Sequence, residues 1–329
     1  MASSSSQPPG QVGPPFRVEF GCGTLADRSA DFGGYVAVTT PTPWHLTGQI
    51  LARQPERVQF IQSLEVDELD AAIGSLPPVD TVVGLGGGMA IDAAKYVAVS
   101  RCTRLYLVPT IASGNGPFTR NIAIRRGGVP VGSVADFTPE AVLVDYDVIR
   151  QARPDYNRSG ISDVLSSYTA LIDWRAAASA GQAEWRDDLA EVSRRMRAKV
   201  VAAASEIGLV SDAGIRTLME AFAEGAESAA SKPGQRMFTG SDHLFAWNLE
   251  ATTGRHFLHG EVVGLGIILM YAFQGNDSEE PRRALSEAQV RYLPRELGVA
   301  RDELMRTLVS CPAMRATSGR CTPSWTSGR

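Results

Sequence analysis

Cysteine and histidine are both scarce in this 329-residue sequence, with four of each, and no sign of charge dominates, the formal net charge being -4 at pH 7. Cys22, Cys102, Cys311 and Cys321 show no Cys-x-x-Cys spacing. That argues against a disulfide framework or a thiolate zinc site and fits a reducing cytoplasm. The charge balance lacks the basic excess of a nucleic-acid binder, so no nucleic-acid partner is expected. No apolar run reaches the roughly 20 residues of a membrane span. The opening stretch from Met1 to Pro15 is rich in Ser, Pro and Gly without an apolar segment, and is expected to be a disordered tail rather than a signal peptide.

What is present is an ordinary globular composition, 44% hydrophobic, in a chain long enough for two domains and a large core. Tyr35 to Thr39, Thr81 to Leu85 and Leu105 to Pro109 are short β-branched apolar runs ended by turn residues, which predict strands. Helical patterns over Trp44 to Gln54 and Val66 to Ser75 lie between them. Alternation of strand and helix predicts a parallel, doubly wound, Rossmann-like sheet. Past about Asp145 the texture becomes rich in Ala, Leu, Arg and Glu (Asp163 to Ala180, Glu184 to Ala204, Ala213 to Ala230), predicting an all-helical unit. The expected division is a dinucleotide-binding domain over 16–150 and a helical metal-binding domain over 151–329, with the active site in the cleft between them.

Half of the histidines fall in two short segments, His243 in Gly-Ser-Asp-His-Leu-Phe and His259 in Leu-His-Gly-Glu, each opening a helix-like apolar run. Asp163, in Ser-Gly-Ile-Ser-Asp-Val-Leu, opens another and is the best candidate for a third ligand. A His/His/Asp set leaves a coordination position open, as a catalytic divalent site requires. Without a metal, the two imidazoles would be buried hydrogen-bonded residues.

Gly86, Gly87 and Gly88 leave the Thr81 strand and enter a helix over Ala90 to Ser100 that carries Asp92 and Lys95. Glycines let backbone approach a diphosphate without Cβ clashes, and the free amides of the helix attract its charge. A tight strand-to-helix turn that binds nothing would use the same residues. Lys95 could equally be a solvated helix residue or reach a phosphate or substrate oxygen.

Gly86-Gly87-Gly88-x-x-x-Asp92-x-x-Lys95 resembles the nucleotide-binding motif of the superfamily joining 3-dehydroquinate synthase, glycerol dehydrogenase and iron-containing alcohol dehydrogenases. Within it, Asp163-x-x-x-x-Tyr168-Thr169-Ala170-x-x-Asp173-Trp174, Gly240-Ser-Asp-His243-Leu and His259-Gly-Glu-x-Val-Gly are similar to segments of sn-glycerol-1-phosphate dehydrogenase. Val108-Pro109-Thr110-Ile-Ala-Ser113 resembles the loop that faces the substrate, and Phe20-Gly-x-Gly23 the chain start. The resemblance spans about residues 18 to 315. It implies zinc, or iron in its place, held by Asp163, His243 and His259. It also implies NAD(H) or NADP(H) on Gly86, Gly87, Gly88, Asp92, Pro109, Thr110 and Ser113, with dihydroxyacetone phosphate as substrate. A homo-oligomer acting on a phosphorylated three-carbon ketone or polyol is the expectation.

The chain departs from that family where chemistry is expected. Gly114-Asn115-Gly116 stands where relatives carry His-Asp-Gly, and Asn115 can orient a hydroxyl but cannot take a proton. Trp247 occupies the position one turn past His243 where relatives commonly place a second histidine, and should share its face. Met89 replaces a small or polar residue after the glycines. Lys95, Asn115 and His256 are the catalytic candidates, His256 as a substitute acid that could instead be solvated. The first strand runs into Thr39-Thr40-Pro41-Thr42 without the acid that often binds a ribose 2'-hydroxyl, so NADPH is expected to serve at least as well as NADH.

Other features have plainer readings. His45 is expected at the surface, Arg125-Arg126-Gly127-Gly128 as an exposed hairpin turn, and Glu261 as a carboxylate favoured by a helix start. Lys232, Arg236 and Arg255 could bind a substrate phosphate. Where relatives end in an Arg-Tyr-Thr-Val-Leu-like segment, the run from Arg320 to Arg329 matches an out-of-register reading of such a segment, which the coding DNA tests; a polar tail is the alternative. Three functions follow: a metal-dependent NAD(P)H oxidoreductase, a sugar-phosphate cyclase of the dehydroquinate synthase type, and a catalytically weakened homologue. Tyr168-Thr169-Ala170 with Asp173-Trp174 favours the first.

Overall fold

The computed structural model describes residues 17–131, 133–134, 138–230 and 237–318. The expected N-terminal tail, Lys232, Arg236 and the run after Gly319 lie outside them. Strands β1 (Arg17–Gly21), β2 (Tyr35–Thr39), β3 (Arg57–Phe60), β4 (Thr81–Gly86) and β5 (Arg104–Pro109) alternate with helices. Four two-residue strands follow: β6 (Asn121–Ile122), β7 (Arg125–Arg126), β8 (Val129–Pro130) and β9 (Ser133–Val134), before β10 (Ala141–Asp145). The main sheet is six-stranded in the order β1-β10-β5-β4-β2-β3, and every pairing is parallel.

Central strands β2, β4 and β10 are buried along their whole length because helices cover both faces, which is why they read as unbroken apolar runs. β1 and β3 lie at the edges, half-exposed and interrupted by Glu19 and Gln59, and the hydrophobic pattern does not reveal them. Arg125-Arg126 pairs with Val129-Pro130 across Gly127 and Gly128, whose φ values of 58° and 77° suit the tight hairpin expected there.

Among the described residues every element after Asp145 is helical. The helix expected over Trp44 to Gln54 is shorter, Pro41–Thr47, with Pro41 in its first turn, and the Gln54 side chain donates to the Gly48 carbonyl at 2.9 Å as the chain turns away. The long run from Asp163 divides into Ile161–Leu165 and Ser167–Ser179, and that from Glu184 into Asp187–Ala202 and Ala204–Leu209. Ser166 marks the first division, its hydroxyl bonding the Asp163 and Phe238 carbonyls at 2.7 and 2.6 Å.

A continuous cluster of buried side chains joins sheet residues such as Val82 and Leu107 to helical residues such as Ile161, Phe245 and Leu285. The carboxyl ends of β4 and β5 lie side by side, Gly86 against Pro109, with the Thr110 amide donating to the Gly86 carbonyl at 3.1 Å. From this point the glycine turn and the Thr110 loop leave the sheet together and face the helices.

Candidate metal and cofactor site

Three helices meet beyond those strand ends. Asp163 lies in Ile161–Leu165, His243 in the first turn of Ser241–Thr253, and His259 is the first residue of His259–Phe273. Their approach depends on two glycines. A Cβ on Gly160 would sit 2.1 Å from the Ala112 carbonyl oxygen, and one on Gly260 would sit 2.0 Å from that of Ser159. The first contact sets the start of the Asp163 helix against the loop after β5, and the second sets the His259 helix against the end of the Pro154–Ser159 helix that leads into the Asp163 helix. Asn157 secures the loop, accepting from the Ala112 amide and donating to the Ile149 carbonyl, both at 2.9 Å.

Asp163 Oδ1 is 3.5 Å from His259 Nε2 and 3.9 Å from His243 Nε2, and the two imidazole centroids are 5.2 Å apart. One ligand atom from each of the three residues falls within 4.8 Å of the others. Asp163 Oδ1 is buried without a hydrogen-bond partner, an arrangement that is costly unless something else meets the charge. Two imidazole nitrogens around an orphaned carboxylate oxygen fit a divalent cation. Burial works to lower the His259 pKa, but the adjoining Asp163 carboxylate outweighs it, and the net direction is upward.

His243 is further fixed by Asp242, a fully buried residue whose Oδ2 lies 2.7 Å from His243 Nδ1. The second Asp242 oxygen accepts from the Thr169 hydroxyl. With Nδ1–H bonded to a carboxylate, the Nε2 lone pair is left facing Asp163. Asp173 holds the start of the same helix, Oδ2 accepting from the Ser241 amide at 2.6 Å and Oδ1 from Gln274 at 3.0 Å. Sequence reasoning passes over Asp242; its adjacency to His243 behind a Gly-Ser helix start is the one available signal. Glu261 does more than answer a helix dipole: it is buried and paired in two-pronged fashion with Arg291, at 2.7 and 2.8 Å.

A cavity of about 120 Å³ adjoins the cluster, lined by Asn115, Asp163 and His243 and by the apolar Val164, Met196 and Phe222. Asn115 thus reaches the site. The Trp247 ring centroid lies 5.7 Å from that of His243, edge to face, on the helix face the sequence places it. On the cofactor side, a Cβ on Gly86 would meet Ala90 at 2.7 Å and one on Gly87 would meet Ile111 at 2.9 Å, whereas Gly88 opens on empty space. The Gly88–Arg101 helix carries no side-chain cap at its start. Thr110 is buried, while Ser113 is half-buried on the loop facing Asp163.

Four expected residues do otherwise. Lys95 is not free for phosphate or substrate: it is wholly buried, donating to Asp92 Oδ1 at 3.0 Å and to the Gly116 and Asn121 carbonyls at 2.6 and 2.9 Å. Burial lowers its pKa, with Asp92 pulling the other way. Asp92 is occupied as well, its second oxygen accepting from the Ala123 amide at 3.2 Å. The pair clamps the loop that carries Asn115. His256 stands outside the site, its side chain fully exposed and its closest ionic neighbour Glu250 at 4.0 Å. Arg255 is engaged with the Gly298 carbonyl and Glu303 and stacked on Phe257, so it is not poised for a substrate phosphate. His45 is at the surface, as its position suggests.

The family described as iron-containing alcohol dehydrogenase matches residues 45–153. The glycerol-1-phosphate dehydrogenase [NAD(P)+] of Aeropyrum pernix is 34% identical over 238 residues, 72% of this chain and 67% of that protein. Its Halobacterium salinarum counterpart is 30% identical over 298 residues, 86% and 83% of the two chains. In fold, the chain is similar to a probable glycerol dehydrogenase from Sinorhizobium meliloti 1021, with TM-score 0.72 at 19% identity over 94% of this chain and 91% of that one. Glycerol dehydrogenase from Schizosaccharomyces pombe gives TM-score 0.67 at 16% identity over 96% of each. The chain belongs to the glycerol-1-phosphate dehydrogenase family of the iron-containing alcohol dehydrogenases and is an NAD(P)-dependent dehydrogenase.

Proposed function

We propose that this enzyme reduces dihydroxyacetone phosphate to sn-glycerol 1-phosphate, or a closely related phosphorylated ketone, with NAD(P)H and a zinc ion held by Asp163, His243 and His259. Iron is the alternative metal. The observation that carries the reading is the buried, unpartnered Asp163 Oδ1 facing two imidazole Nε2 atoms. A metal bound there supplies a Lewis acid that polarises a carbonyl during hydride transfer from the nicotinamide.

The chain's own residues set the stage for that step. Gly88 opens on the space a diphosphate would take, Gly86 and Gly87 pack the turn against Ala90 and Ile111, and Pro109, Thr110 and Ser113 stand on the adjoining loop. Asn115 borders the cavity beside Asp163 and orients a substrate hydroxyl or carbonyl through its amide. Met196, Phe222 and Val164 give the same cavity an apolar lining that keeps water away from the reacting carbon. Lys95 and Asp92 serve by holding the Asn115 loop. A division near residue 150 places the cofactor on the sheet side of the cleft and the metal on the helical side.

No helix among the described residues is long and apolar enough to cross a membrane. Cys22, Cys102 and Cys311 are free thiols, in keeping with a reducing cytoplasm, where we place the enzyme as a homo-oligomer. The deciding experiment pairs metal analysis with NAD(P)H oxidation by dihydroxyacetone phosphate and by unphosphorylated analogues. His259→Ala should lose both metal and rate; turnover retained without the imidazole would refute the reading.

A further inference from the structure

The Asp187–Ala202 helix separates two cavities. Met196 faces the one beside Asp163, and Arg194 and Arg197, on another face, border an open groove of about 670 Å³. Arg175 lies across from them on the Ser167–Ser179 helix, and the aromatic lining comes from Tyr168, Trp185 and Tyr271. Among the described lining residues Asp187 is the one acid, its Oδ1 taken by the Trp185 indole N–H at 2.7 Å, and Glu280 behind the lining accepts from the Tyr168 hydroxyl.

Arg175 and Arg197 are held by rings rather than by carboxylates. The Arg197 guanidinium lies 4.1 Å from the Tyr168 ring centroid, and that of Arg175 lies 4.9 Å from the Trp185 centroid. Among the described residues neither has a carboxylate at ion-pair distance, although Arg194 pairs with Glu191 at 3.2 Å and Arg195 with Glu224. Cation–π stacking orients a guanidinium without neutralising it, so its N–H donors stay available to an anion. A lone inorganic anion would leave most of the volume unfilled, and the outward sides of the half-buried Trp185 and Tyr271 rings, which pack on Trp174 and Tyr168 within the protein, uncovered.

From this geometry we infer that the groove between Arg175 and Arg197 binds a phosphorylated ring compound of the nucleoside monophosphate class, with phosphate on the two guanidinium groups and the ring against Trp185 and Tyr271. The site is separate from the dinucleotide turn at Gly86 to Gly88. It also adjoins the scaffold of the metal cluster: Tyr168, which carries Arg197, is followed by Thr169, whose hydroxyl donates to Asp242.

Calorimetric titration with AMP, adenosine and inorganic phosphate tests this on enzyme saturated with NADP+, so that the dinucleotide turn is already filled. AMP should bind once per chain, with adenosine and phosphate each weaker by about tenfold or more. Arg175→Gln/Arg197→Gln should weaken AMP by about tenfold or more and leave NADP+ affinity unchanged. No AMP binding, undiminished binding in the double variant, or phosphate binding as tight as AMP would overturn the assignment. If that variant does not fold, Arg175→Gln alone, altered at an exposed side chain, must still weaken AMP several-fold, and parental affinity would count against the site.

Discussion

Asp242 and His243 are neighbours in sequence, yet the Asp242 carboxylate turns to meet the adjoining imidazole, Oδ2 lying 2.7 Å from Nδ1. The contact fixes which ring nitrogen faces Asp163, because the proton resides where the carboxylate can accept it. Asp242→Asn should therefore weaken metal binding about 10- to 100-fold, the usual effect of losing such a partner. Competition against a chelator of known affinity measures it. Parental affinity in the variant would show that the ring is oriented by its packing alone.

Asp163→Asn keeps the shape of the side chain and removes the charge. Metal content and turnover should both fall to background, by elemental analysis and by NAD(P)H oxidation. Compared at alkaline pH, where His259 is neutral and offers Asp163 no positive charge, the metal-free variant should be no less heat-stable than the metal-free parent, because the parent's Oδ1 is buried with no hydrogen bond to lose. A clear drop in melting temperature between the two metal-free forms would mean that the carboxylate supports the fold.

Lys95→Met removes the cation that ties Asp92 to the Gly116 and Asn121 carbonyls. Breaking a buried pair from one side typically costs about 3–5 kcal/mol, because the remaining carboxylate is left uncompensated. The pH dependence has a definite sign. Burial lowers the folded-state pKa of Lys95 below the ordinary 10.5, so between the lowered value and 10.5 the unfolded chain binds more protons. The contribution of Lys95 to stability is thus complete above 10.5 and is lost as pH falls through the lowered value. Urea midpoints of parent and variant, taken at neutral pH and again approaching 10.5, should diverge in favour of the parent. Convergence would contradict the direction of the shift.

Lys95 also shows where a sequence stops being informative. Its helix and its distance from the glycines are legible, but its burial depends on carbonyls 21 and 26 positions away folding over it. Asp242 is illegible for a related reason, since an acid in a helix's first turn ordinarily faces water and here turns inward to Thr169 and His243. The edge strands β1 and β3 escape notice because one-sided exposure mixes charge into their pattern. The gathering of Asp163, His243 and His259 is legible because imidazoles are rare in the chain and these two each stand at the start of a helix, a conjunction that depends little on long-range packing.

Cofactor preference follows from the end of β2. Thr39 donates to the Leu85 carbonyl at 2.7 Å, and the chain passes through Thr40 into Pro41 without an acid beside the glycine turn. NADPH should be used at least as efficiently as NADH. Thr40→Asp should reduce kcat/KM for NADPH by about tenfold or more relative to NADH, since facing like charges cost several kcal/mol. An unchanged ratio would place the ribose elsewhere.

Gly160→Ala separates backbone freedom from contact. The Gly160 φ of -60° is helical, so alanine there suits the backbone and by propensity alone would stabilise by about 0.5–1 kcal/mol. The new methyl, however, would lie 2.1 Å from the Ala112 carbonyl oxygen and 3.1 Å from Ser113 Cα, both backbone atoms that no side-chain rotation can move. The helix must shift away from the loop, carrying Asp163 with it, at a typical overpacking cost of about 1–3 kcal/mol. Gly74→Ala is the matched control, because a Cβ there meets nothing within 4 Å. Gly160→Ala should lower both the melting temperature and metal affinity, and Gly74→Ala should lower neither. Metal affinity unchanged in Gly160→Ala, despite lost stability, would show that Asp163 is placed by its own helix and not by contact with the Ala112 loop.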